Sequence, residues 1–214
     1  RDVERSRGLG DVYKRQYFIC VFMPVSIAAA LLEVLRRPVP KWLTWTGIVS
    51  AFCVAAYTGF LLGVVSAYPL WNNAILPVLF VVSALSAGLA ATSLVGLITD
   101  RERFEQMWLI KKSHVILSAI EMVVLATMLI IVSSGSPEGA ASVASLVSGQ
   151  YAPMFWGGLV LLGLVAPFAI EGYPVFVTRK VETSTTSMVV SVIGEGGVLV
   201  GGFMLRLLVI LAAL

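Results

Sequence analysis

Six stretches of this chain run for 19 residues or more almost without a charge, and they leave few folds open. A window of about 19 residues places them at about 17–35, 42–67, 74–98, 113–133, 153–177 and 188–213. At ~1.5 Å of rise per residue, each reaches close to the ~30 Å of a bilayer's hydrocarbon core. Lipid offers the backbone no hydrogen bonds, so every N–H and C=O must be satisfied within the protein, by helices or by a closed barrel. The runs lack the period-two alternation of barrel strands and so predict helices. Composition agrees. Hydrophobic residues make up 58% and charged residues 13%, against about 45–50% and 25% in soluble domains, and the mean hydropathy is +0.94. The expected fold is an all-α integral membrane protein, six transmembrane helices in a bundle within a lipid bilayer.

The connections set an orientation. The first, third and fifth carry Arg36, Arg37 and Lys41, then Arg101, Arg103, Lys111 and Lys112, then Arg179 and Lys180; the second and fourth, the latter a Gly/Ser-rich loop, carry no Lys or Arg. Nine against none predicts that the basic connections are cytoplasmic and that "YPLWNN" and the C-terminus are external. The net charge of +3 then needs no nucleic acid. Residues 1–16, "RDVERSRGLGDVYKRQ", break this pattern by putting five positive residues on the expected external side. They read as a read-through or adapter-derived leader outside the fold, with a native basic tail as the alternative. They do not resemble a signal peptide, since no small-residue cleavage site follows a short apolar region.

The residue inventory narrows the chemistry. His114 is the single histidine, so a haem held between two histidines of this chain is impossible. Cys20 and Cys53 stand alone in apolar spans, which predicts neither an iron–sulfur cluster nor a zinc site, and no metal site is expected. Phosphate-binding, dinucleotide and nucleophile-elbow motifs are missing. Any redox chemistry must therefore pass through a diffusible carrier and a partner protein.

Ionisable groups at bilayer depth cost roughly 2.5–3.5 kcal/mol each on insertion scales and mark function when they occur. His114, Ser118 and Glu121 fall at i, i+4 and i+7, on one helix face. Ser187, Ser191 and Glu195 repeat the pattern in the last span, and Arg206 follows eleven residues after Glu195. Glu171 lies about six residues from the basic end of the fifth span. His114 reads either as a headgroup residue or as a proton carrier, and Glu171 either snorkels or faces inward. Glu121, Glu195 and Arg206 are expected in a paired or water-filled interior. Ala84 with Gly88, and Gly197 with Gly201, form small-xxx-small pairs suited to close helix approach. Tyr57 sits about 15 residues, roughly 22 Å, into its helix, beside Thr58 and Gly59, where its hydroxyl needs a partner.

The stretches "YTGFLLG", "PLWNNAILPVLFVVSALSAG", "HVILSAIEMVVL" and "GGFMLRLLVILA" resemble the NrfD/PsrC family of polysulfide-reductase-type membrane subunits. The resemblance covers about residues 17–214 and is most specific over 55–92. It implies that the six helices correspond to the last six of an eight-helix subunit in the cytoplasmic membrane of a bacterium or archaeon. It also implies a quinol- or quinone-binding membrane anchor without its own haem or iron–sulfur cluster. Such a subunit docks a four-cluster iron–sulfur subunit and, through it, a molybdopterin or multihaem catalytic subunit. Tyr57, with Thr58 and Gly59, occupies the motif position of the family's quinone-binding tyrosine, and the carrier would be menaquinol or ubiquinol. Pro69, Leu70, Trp71 and Asn72 would lie on the docking face. His114, Ser118, Glu121, Glu171, Glu195 and Arg206 would form a proton pathway, and the chain alone would not turn over. Two other readings stay open: a secondary transporter or ion carrier using the same carboxylates, and a passive anchor without quinone chemistry.

Overall fold

A computed structural model of the chain describes residues 2–63, 68–99, 108–173, 176 and 185–212. Among these described residues, six helices are long and apolar enough to cross a membrane. Helix α1 spans Asp2–Val34, α2 Lys41–Gly63, α3 Ile75–Thr99, α4 Trp108–Gly135, α5 Pro137–Val147 and α7 Thr185–Leu211. Helix α6 has two parts, π-helical over Met154–Val165 and α-helical over Ala166–Tyr173. The short α5 is not among the spans. The expected ends at 64–67 and 174–175, the basic residues Arg101, Arg103, Arg179 and Lys180, and the side chain of Ser187 lie outside the described residues.

Element ends follow local chemistry. Helix α1 closes with Arg36 in the left-handed region, φ 52°, while Arg37 N–H donates to Leu32 O at 2.8 Å. That conformation costs a non-glycine residue roughly 1–2 kcal/mol, and Pro38 then prevents the helix from continuing. Asn73 Oδ1 accepts from the Ile75 N–H at 2.9 Å and caps α3. The Gly/Ser-rich connection, expected as a loop, holds α5. Ser136 is the N-cap, accepting from the Gly139 N–H at 3.0 Å, Pro137 opens the helix, and Glu138 faces the positive end of its dipole.

Packing runs α1 on α2, α2 on α3, and α3 on both α4 and α7; α4, α6 and α7 close the bundle. The closest helix approaches are made by glycine. A Cβ on Gly163 or Gly201 would meet the backbone of the other, and one on Gly197 would meet Leu162 O, so α6 and α7 cross with almost no side chain between them. The Gly197/Gly201 expectation is thereby realised. The Ala84/Gly88 expectation is corrected at Gly88, where an added Cβ would meet nothing within 4 Å. The apolar core fills the half of the bundle away from the basic connections, with Leu70, Leu76, Leu79, Phe80, Leu125, Met128, Phe155 and Leu205 among its members.

Candidate functional site

On α4 the buried face reads Lys111, His114, Ser118, Glu121 and then Leu125, Met128, Val132. The spacings of 3, 4 and 3 keep these side chains on one stripe. The stripe is polar toward the basic connections and apolar toward the other end. Helix α7 divides in the same way, with Ser191 and Glu195 buried before Val198, Leu205 and Leu208. Helix α3, running the opposite way, buries Leu76, Leu79 and Phe80 and then Ser83, Ser86 and Ser93. Three helices thus line up their polar halves, and α6 adds Glu171.

The result is a column of polar groups about 15 Å long between Lys111 and Glu121, from ten residues at ~1.5 Å each. At its basic end the Lys111 ammonium, 2% exposed, donates to Ser191 Oγ at 2.8 Å. One turn deeper, His114 Nδ1 lies 2.8 Å from Glu171 Oε2 and 3.2 Å from Glu195 Oε2, with the three side chains at most 1% exposed. These are contacts of charge, without the alignment of hydrogen bonds. His114 Nε2, Glu171 Oε1 and both Glu195 oxygens also have no hydrogen-bond partner. Ser93 faces Glu195 from α3. Deeper still, Glu121 faces Ser83 and Ser86 and feels the charges of Arg206 and His114. Arg206 is half-buried, donates to Gly202 O at 2.6 Å, and lies 5.8 Å over the Phe80 ring.

Charges buried in a bundle must balance, because an isolated one costs several kcal/mol. Here Glu121, Glu171 and Glu195 stand against Lys111, His114 and Arg206. Beyond Arg206 the interior is the apolar core.

The structure brings together all six residues expected along a proton pathway. Both His114 and Glu171 face the protein interior, each 1% exposed. Sequence reasoning misses four participants. Ser83, Ser86 and Ser93 share one face at spacings of 3 and 7, a signal that isolated serines in an apolar run obscure. Lys111, which reads as a loop cation, is instead buried in α4, which lowers the basic-side count to eight. The expectation of no metal site also meets a cluster of one imidazole and two carboxylates whose ligand atoms lie within 4.8 Å of one another.

The other expected sites lie apart from the column. Tyr57 is half-buried on α2, its ring 6.3 Å from that of Phe18 on α1. The Thr58 hydroxyl donates within its own helix to Val54 O at 3.1 Å. Gly59 has a structural task, since a Cβ there would fall on the Pro77 backbone where α2 crosses α3. In the connection before α3, Leu70 is fully buried. Trp71 Nε1 donates to Val209 O at 2.7 Å, tying that connection to the end of α7. Pro69 is half-buried and Asn72 exposed.

Comparison with known proteins finds relatives for the chain. The family model described as "Polysulphide reductase, NrfD" matches residues 11–214. The chain is 28% identical over 166 residues to a protein NrfD homolog of Haemophilus influenzae, covering 77% of this chain and 50% of that one. It is 30% identical over 168 residues to one of the chains of the polysulfide reductase of Wolinella succinogenes, covering 75% and 50%. It is 30% identical over 182 residues to protein NrfD of Escherichia coli, covering 83% and 54%. The chain therefore spans about half the length of these relatives. No solved structure matches it.

Proposed function

The chain belongs to the NrfD family, and from that premise we propose that it serves as the quinol-linked membrane subunit of a respiratory oxidoreductase, with the buried column as its proton route. The name of the Wolinella relative, one chain of a polysulfide reductase, supports a role as one subunit among several. Oxidation of a menaquinol or ubiquinol releases two electrons and two protons. The electrons would pass to a docked iron–sulfur subunit and from it to a molybdopterin or multihaem catalytic subunit, while reduction of the quinone reverses every step. Terminal substrate and reaction belong to those partners. In this reading the basic side is the cytoplasmic side of a bacterial or archaeal inner membrane.

The observation that carries the proton route is the charge-balanced column itself. A passive anchor has no use for three acids and their counter-charges inside a bilayer. His114, Glu171 and Glu195 would exchange protons with the basic side, and Glu121 would hold one at the inner end, with Arg206 offsetting its charge when ionised. The apolar core beyond Arg206 keeps water from crossing.

The quinone end of the proposal rests on Tyr57, half-buried on α2 with its ring 6.3 Å from that of Phe18 on α1. Its test is quinol-dependent reduction of the partner's iron–sulfur clusters in the assembled complex. Tyr57→Phe is expected to slow the reaction about tenfold or more, roughly 1.4 kcal/mol of barrier, with assembly intact. An unchanged rate would remove Tyr57 from the site.

A further inference from the structure

The three side chains that meet at the basic end of the column also form a ligand set. One imidazole nitrogen and two carboxylate oxygens lie within 4.8 Å of one another, with Nδ1 of His114 at 2.8 and 3.2 Å from the two acids. Zinc binds nitrogen and oxygen at about 2.0–2.2 Å in tetrahedral geometry, which sets neighbouring ligand atoms about 3.4 Å apart. The two contacts of the imidazole nitrogen reach that spacing by opening by about 0.2–0.6 Å, and the two carboxylates lie within 4.8 Å of each other. They come from three helices, α4, α6 and α7, so packing fixes the site rather than one flexible segment.

The surroundings point the same way. His114, Glu171 and Glu195 are at most 1% exposed and carry nitrogen and oxygen atoms without hydrogen-bond partners. A fourth helix adds Ser93, 1% exposed and unpartnered, whose hydroxyl faces Glu195. Two carboxylates and a neutral imidazole match the charge of a divalent ion. An imidazole with few oxygens suits zinc and its first-row neighbours, whereas calcium and magnesium want six or more oxygens. We propose that His114, Glu171 and Glu195 bind a divalent transition-metal ion of the zinc type. As a consequence that rests on the proton-route reading, occupancy closes the column to protons.

One group opposes the ion. Lys111 couples electrostatically to both acids from one turn nearer the basic side, held there by Ser191. Its removal should therefore tighten metal binding, an effect opposite to the loss of a ligand.

The test is a titration of the purified protein in lipid nanodiscs with Co2+, read by the visible absorption of four- or five-coordinate cobalt and reversed by Zn2+. One Co2+ per chain is expected. His114→Ala and Glu171→Gln should each weaken binding at least about tenfold, ~1.4 kcal/mol, and Lys111→Met should strengthen it several-fold. A wild type without a saturable cobalt spectrum, or a spectrum indifferent to both ligand variants, overturns the site. Since a ligand variant can fail for lack of folding, Lys111→Met is the second arm: unchanged or weaker binding there also overturns it. Zn2+ should then block proton uptake in proteoliposomes. Stoichiometric binding with undiminished proton flux would refute the proton-route reading and leave the metal site standing.

Discussion

Replacing His114 by Leu removes the imidazole that sits between Glu171 and Glu195. Both acids are at most 1% exposed, and their contacts to Nδ1 are 2.8 and 3.2 Å. Breaking one partner out of a buried ionic set costs about 3–5 kcal/mol, because a charge is left uncompensated where solvent cannot reach it. For a chain of this size, 1 kcal/mol moves the melting temperature by roughly 2–4 °C, so His114→Leu is expected to lower Tm by about 6–20 °C. The cause can be isolated by also removing one acid. With Glu171→Gln added, Glu121 and Glu195 again balance Lys111 and Arg206, and replacing a buried ion pair by uncharged groups is often neutral in cost. The double variant should regain at least half of the loss. The assay is thermal unfolding in nanodiscs followed by circular dichroism, at a pH where the wild type is most stable. A single variant within about 2 °C of wild type, or a double variant no better than the single, would refute the view that charge balance holds this cluster.

Two further predictions concern the frame. Gly59→Val should cost at least about 1–3 kcal/mol through overpacking, since its Cβ would fall on the Pro77 backbone, whereas Gly88→Ala should be tolerated because nothing lies within 4 Å; comparison of the two Tm values checks this. Ser136→Ala should remove the α5 cap at a cost of about 1 kcal/mol and speed amide exchange in the first turn of α5, leaving exchange in α3 and α7 unchanged.

The frame is legible in the sequence because lipid imposes a simple rule: long apolar runs become helices, and their number and approximate limits follow. The i, i+4, i+7 face of His114, Ser118 and Glu121 points inward, and the structure brings Glu171 and Glu195 to it. What sequence spacing does not supply is contact between helices. Nothing in a single chain says that residue 171 lies beside 114 and 195, since that depends on the glycine crossing of α6 and α7. Lys111 is easily misread because a lysine at the end of an apolar run is ordinarily an interfacial cation, and only a neighbouring helix carrying Ser191 makes it an interior one. The serines of α3 escape notice for a related reason. A hydroxyl in a helix is cheap when it donates to its own backbone, as Thr58 does, and only packing shows that Ser83, Ser86 and Ser93 turn toward acids instead. Helix α5 is legible in principle, from Ser136, Pro137 and Glu138 in sequence, but small residues on both sides make the segment read as a loop.

The claim on which the rest depends is that the buried column moves protons coupled to quinol chemistry. The most direct measurement is proton uptake or release per electron in proteoliposomes holding the assembled complex, with a pH-sensitive dye on the basic side, for wild type and Glu121→Gln. Glu121 is the innermost acid of the column, beside Ser83 and Ser86. The account predicts that the variant assembles and binds its partners but loses most of the proton signal on that side, with electron transfer slowed to match. Wild-type proton signal and electron transfer in Glu121→Gln would contradict it, and the column would then be a structural ion network.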